Sequence, residues 1–219
     1  MRNFNLPTAI LLAGVLTTTG CSSEEPPTYI PIEDKQVINM AGRLAAKYWS
    51  DRNLKQVAET KIEYVEGNKK YKCGTEELSD SITFGILRYC RSKKSVIMNR
   101  PSLYGFVPPD MRDDPKKRAA VFRTIIYHEY THAAQAARGD VFSKDKGEIL
   151  VAENQADSCA GVLSAKFSPD DRAIMEQVYP KMEDREQDHG SGQARLDIYK
   201  QGYDQGICLS KQAGPTLPQ

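Results

Sequence analysis

From Asp113 to Arg138 the chain holds one unbroken helical pattern, and its ends carry the signals that fix a helix in place. Asp114 can cap the first turn, Pro115 suits the first helical position, and Gly139 stops the run. One side shows Val121, Phe122, Ile125 and Ile126, while Ala133, Ala134, Ala136 and Ala137 let a neighbouring helix come close. The same helix carries His128, Glu129 and His132, and so two of the three histidines in 219 residues. Those groups form either a metal site or a satisfied pair of imidazoles in a buried helix.

Around this helix the pattern predicts an α+β fold. Val37, Ile38, Ala41, Leu44, Ala45 and Tyr48 recur at helical spacing over residues 35 to 49. Ile62 and Tyr64, then Ile82, Phe84 and Ile86, alternate with mostly polar neighbours, and "SVIM" at 95 to 98 is a short apolar run. These read as strands of a small sheet, expected to be antiparallel. Further helices are expected at about 146 to 165, from Ser168 and Pro169 with Asp170 and Asp171 in the first turn, and after Ser191.

The length suits one well-buried domain, expected over residues 35 to 208. Lys and Arg number 30 against 29 acidic residues, with no long single-sign run, which argues against a nucleic-acid partner. At the N-terminus a short apolar run from Ala9 to Leu16 ends in small residues, as an export signal over residues 1 to 20 would. The Gly20-Cys21 junction resembles the lipobox of bacterial lipoproteins, with Thr18 in place of the usual Leu, so Cys21 is the expected lipidation site. The expected location is outside the cytoplasm, in the periplasm, anchored to a membrane through that lipid. Residues 21 to 34 contain three prolines and read as a flexible tether, and residues 209 to 219 as a loose tail.

Four cysteines remain, which suits an exported protein with two disulfides. They allow three pairings; the expected one joins Cys73 to Cys90, closing a local loop, and Cys159 to Cys208. A cysteine metal cluster lacks any C-x-x-C spacing.

Residues i and i+4 share a helix face, so His128 and His132 can aim two nitrogens at one point about 2 Å from each, as tetrahedral zinc requires. Glu129 stands beside the first of them, where it can act as general base on a zinc-activated water that attacks a peptide carbonyl. No histidine follows until His189, which excludes the longer metzincin pattern and leaves a carboxylate or thiolate as third ligand. Glu153 and Asp157 share one face of the next helix. A reversal at Gly139 would lay Glu153 against the two histidines as third ligand, with Asp157 one turn on, accepting the N–H of a ligand histidine. Cys159 lies about 200° round the helix from Asp157 and faces away. His189 is expected near the site mouth, where it could stabilise an oxyanion, with a surface or capping role as the alternative. Tyr127 and Tyr130 are expected in the core.

Three blocks, "HEYTHAAQ", "ENQADSCAG" and "DHGSGQARLDIYKQGYDQGIC", with "RYCRSKKSVIMN" before them, resemble the bacterial neutral zinc metallopeptidase family, whose site is similar to that of gluzincins such as thermolysin. The resemblance covers roughly residues 80 to 208. It implies a zincin-like fold, Zn2+ held by His128, His132 and Glu153, and Glu129 as the base. The chain departs from the family at Thr131, usually Gly, at Asn154, usually bulky and apolar, and at Ser158, which intervenes between the Asp and the Cys. The expected partner is a peptide or protein substrate in the cell envelope. The competing expectation is a non-catalytic zinc-binding lipoprotein that serves as scaffold or adaptor.

Overall fold

The computed structural model describes residues 29–66, 71–74, 76–78, 86–140, 145–182 and 189–208. The export signal, Cys21, most of the expected tether, Ile82, Phe84 and the tail lie outside them.

The fold is α+β, a small sheet followed by a mostly helical half. Helix α1 runs Ile32–Ser50 and buries Ile38, Ala41, Ala45, Tyr48 and Trp49. It starts inside the segment expected to be tether: Ile30 and Asp34 are already buried, and Asp34 accepts a hydrogen bond from the Tyr104 hydroxyl and pairs with Arg118 at 3.5 Å. Pro31 fits there because the first helical turn has no use for its missing N–H.

Strands β1 (Lys61–Tyr64), β4 (Leu87–Cys90) and β5 (Ser95–Met98) form one sheet in the order β1-β5-β4, and β2 (Tyr71–Cys73) pairs with β3 (Glu76–Leu78) in a separate antiparallel ribbon. The three-stranded sheet is mixed, which corrects the antiparallel expectation: β4 runs antiparallel to β5, but β1 runs parallel to it, with Ile62 opposite Val96. Alternation shows which face a strand buries and carries no information on the direction of its partner. All four residues of β5 are buried, as its unbroken apolar run requires of a central strand.

After α2 (Arg100–Gly105) comes α3 (Pro115–Ala137), capped as its sequence indicates: the Asp114 carboxylate accepts from the Lys116 and Lys117 amides at 2.9 and 3.2 Å. Gly139, at φ +84°, turns the chain out of it. Helix α4 (Lys146–Phe167) is capped by Asp145. The helix expected from Ser168 opens as a 3-10 turn, Pro169–Asp171, and continues as α5 (Arg172–Val178). Helix α6 (Gly192–Gln205) begins at Ser191, whose hydroxyl accepts from the Ala194 amide.

Helix α3 lies at the centre, packed by α1 on one side and α4 on another, and α4 packs in turn against α6. Both expected disulfides form, Cys73–Cys90 and Cys159–Cys208. The second ties the end of α6 to the far side of α4.

Candidate metal centre

The centre is built where α3 and α4 lie side by side. His128, Glu129 and His132 are 7, 7 and 8 % exposed, so the helix presents them to a protein interior. Glu153 reaches across from α4: its Oε2 lies 2.9 Å from His128 Nε2 and 3.3 Å from His132 Nε2, and the two Nε2 atoms are 3.1 Å apart. The three residues form a group that could hold a metal ion.

The donor set fits such an ion. An ion bonded tetrahedrally at about 2.0–2.1 Å holds neighbouring ligand atoms about 3.3 Å apart, close to the observed spacings. The proton positions point the same way. His128 Nδ1 lies 2.9 Å from Asp157 Oδ1, and an ionised carboxylate only accepts, so Nδ1 carries the ring proton and Nε2 of the neutral ring is a lone pair. His132 Nδ1 is likewise engaged, 2.8 Å from Gln135 Oε1. Two imidazole lone pairs and a carboxylate oxygen therefore converge in a buried space, which is unfavourable unless a cation, a proton or a metal, lies among them.

The acid–base shifts of the ion-free centre express that demand. Burial pulls His128 down, yet hydrogen bonds to Asp157 and Glu153 outweigh it and push the ring up to about 10. Burial works against the charge of Glu153 too, but the neighbouring His132 and the hydrogen bonds from the histidines hold its carboxyl well below the usual range.

Asp157 is fully buried and stands behind His128, one turn beyond Glu153. Arg195 of α6 grips it with Nε to Oδ2 at 2.8 Å and Nη2 to Oδ1 at 2.9 Å. Burial opposes its charge, but Arg195 holds the carboxyl below the usual range. The Tyr179 hydroxyl adds a weaker bond at 3.5 Å.

Glu129 sits beside the cluster, and its Oε2 is buried with no hydrogen-bond partner among the described residues. His189 comes to the same place from just before α6: its Nε2 lies 2.9 Å from Glu153 Oε2, and its ring stacks near that of His128, centroids 6.0 Å apart. All three histidines thus gather on one carboxylate. Tyr127 and Tyr130 are buried away from the cluster, Tyr130 donating to the Thr60 carbonyl at 3.1 Å. The four disulfide cysteines take no part.

His128, Glu129 and His189 line a cavity of about 440 Å³ whose apolar wall includes Phe106, Val107, Ile125, Met175 and Met182. Leu87 of β4 reaches it as well. The strand at Ser95–Met98 is the central one of its sheet, and β4 has no partner on its outer side among the described residues.

Arg195 and Gln135 are close neighbours of the cluster that the sequence does not single out. Asp157 supplied the one usable signal for Arg195: a carboxylate in the small, apolar run "AENQADSCAGVL" needs a counter-charge.

Compared with protein-family models, curated proteins and solved structures, the chain matches none.

Proposed function

We propose that the protein is a zinc-dependent metallopeptidase of zincin type, with His128, His132 and Glu153 as ligands and Glu129 as general base. The observation that carries this reading is the convergence of three donor atoms beside a buried carboxylate oxygen with no partner among the described residues, His128 and Glu129 lining a cavity. The resemblance of the three sequence blocks to the neutral zinc metallopeptidases supports it. Zinc, when bound, acts as a Lewis acid that lowers the pKa of water and polarises a carbonyl.

The chain's own groups account for the proton movements. Glu129 takes the proton of the attacking water and passes it to the departing amine nitrogen as the C–N bond breaks. Its free Oε2 has no competing hydrogen bond to give up first. In this reading His189, whose Nε2 faces Glu153, turns that N–H away from the carboxylate to donate to the developing oxyanion. The apolar wall takes a substrate side chain, and the outer edge of β4 takes the main chain of an extended peptide. A protein with this chemistry acts on envelope proteins if the export signal and the lipid at Cys21 are as expected.

Among the described residues the group has three donors, and His189 meets it through Glu153; structural zinc sites are usually closed by four, so a three-donor set favours catalysis over a scaffold role. The test is metal analysis with a casein or peptide-library digest, wild type beside Glu129→Gln. The wild type should hold about one zinc per chain and cut, and Glu129→Gln should hold zinc and not cut. Equal product from both proteins would end the proposal.

A further inference from the structure

We propose that Gln135 is a positioning residue of the centre, one that sets the tautomer of His132 by reading the backbone of the helix that brings the third ligand. The inference rests on the metal-centre reading above and goes beyond its ligands and base.

Gln135 is 1 % exposed and lies three residues past His132 on α3, on the same face of the helix. Its Nε2 donates to the carbonyl oxygen of Ala152 at 2.9 Å. A backbone carbonyl only accepts, so the NH2 end of the amide must face Ala152 and the oxygen end must face His132. The second N–H of the same group is met by Gln155 Oε1 at 3.3 Å. Oε1 in turn only accepts, and the ring nitrogen 2.8 Å away is His132 Nδ1, so that nitrogen carries the proton. A neutral imidazole has one ring proton, and Nε2 is left as a lone pair aimed at His128 Nε2 and Glu153 Oε2.

Ala152 directly precedes Glu153, so the carbonyl that orients the amide belongs to the stretch of α4 that delivers the third ligand. One side chain therefore fixes both the protonation pattern of the second histidine and the approach of the carboxylate. The two histidines are held by different chemistry. His128 leans on a carboxylate charge-balanced by Arg195, and His132 on a neutral amide. Loss of the amide oxygen frees His132 to turn or to place its proton on Nε2, where it blocks an ion.

The experiment measures the zinc dissociation constant of the full chain by competition with a chromophoric chelator, and the ring-nitrogen NMR signals of the three histidines in the zinc-loaded protein. The wild type should show His132 with its proton on Nδ1. Gln135→Met, close in shape but without an acceptor, should bind zinc about 10- to 100-fold more weakly, the usual effect of removing such a partner, and lose the His132 Nδ1–H signal. Gln135→Glu restores the acceptor toward His132 but cannot donate to the Ala152 carbonyl, so it should keep that signal and bind zinc more tightly than Gln135→Met does. A Gln135→Met protein that binds zinc less than tenfold more weakly, with unchanged ring signals, overturns the proposal. If Gln135→Met does not fold, Gln135→Glu decides: a His132 proton on Nε2 in that variant overturns the proposal equally. A wild-type chain that takes up no zinc is a different result and ends the metal-centre reading itself.

Discussion

Asp157 is the residue on which the charge balance of the centre turns. Its carboxylate is out of reach of water and satisfied by His128, the Arg195 fork and the Tyr179 hydroxyl. Arg195 has 12 % of its side chain exposed, so Arg195→Met strands a buried negative charge, and breaking a buried pair from one side costs about 3–5 kcal/mol. Urea unfolding near pH 7 should show a loss of that order. The sign of its pH dependence follows from the shift: a carboxyl held below its usual range stabilises the fold above about pH 4 and loses that contribution as pH falls. Without Arg195 the carboxyl rises, and the deficit against wild type should narrow below about pH 4. A deficit under about 1 kcal/mol would show that the pair contributes no more than a surface one. At this scale the candidate ligands were legible as a group because their spacing is local: i to i+4 on one helix, and Glu153 to Asp157 on the next. Arg195 was not, because its partner lies 38 residues away; Gln135 stands three residues from His132, but the Ala152 carbonyl that orients its amide is 17 residues away, and both distant partners are chosen by how helices cross.

The crossing of α4 and α6 puts Arg195 within reach of Asp157, and two glycines make it possible. A Cβ on Gly202 would stand 1.8 Å from the Ser158 carbonyl oxygen, and one on Gly161 would stand 2.1 Å from that of Tyr199. Both neighbours are backbone, so neither can swing aside, and an added methyl must push the helices apart. Gly202→Ala should destabilise the fold by at least about 1–3 kcal/mol and also weaken zinc binding, since it withdraws Arg195 from Asp157. Thermal unfolding and chelator competition on the same protein check both halves; a variant of wild-type stability would mean that the helices do not meet this closely. The Cys159–Cys208 bond closes a 49-residue separation over this same pair of helices, and replacing both cysteines by Ala should cost about 2–4 kcal/mol in denaturant unfolding. The helices were legible because their caps are written in sequence: Asp114 with Pro115, Ser191, and the turn at Gly139. The parallel partner of β1 was not, because the pairing that sets strand direction joins residues 34 apart, Lys61 with Ser95. Helix α2 escaped notice because six residues with a proline in the first turn read as a loop; the Asn99 cap holds it.

At the scale of the whole molecule, the unfavourable meeting of lone pairs makes stability, protonation and metal one problem. Without an ion, His128 is raised to about 10, from about 6.5 in an unfolded chain. A raised histidine stabilises the fold fully below about pH 6.5 and loses that contribution as pH climbs toward 10. Glu153 and Asp157 are shifted the other way, so their contribution is present above about pH 4 and is lost in acid. The chelated protein should therefore be most stable near pH 5 to 6.5, with Tm falling on both sides. Zinc, the ion proposed for this centre, would replace the proton that the alkaline arm loses, because metal ligands must be deprotonated to bind. In excess zinc the alkaline decline should disappear and the acid decline should begin at higher pH, where protons displace the metal. Thermal unfolding from pH 4 to 10, with chelator and with zinc, reads both arms. A chelated protein whose Tm stays level from pH 6.5 to 10 would mean that no proton sits among His128, His132 and Glu153, and that their lone pairs do not meet.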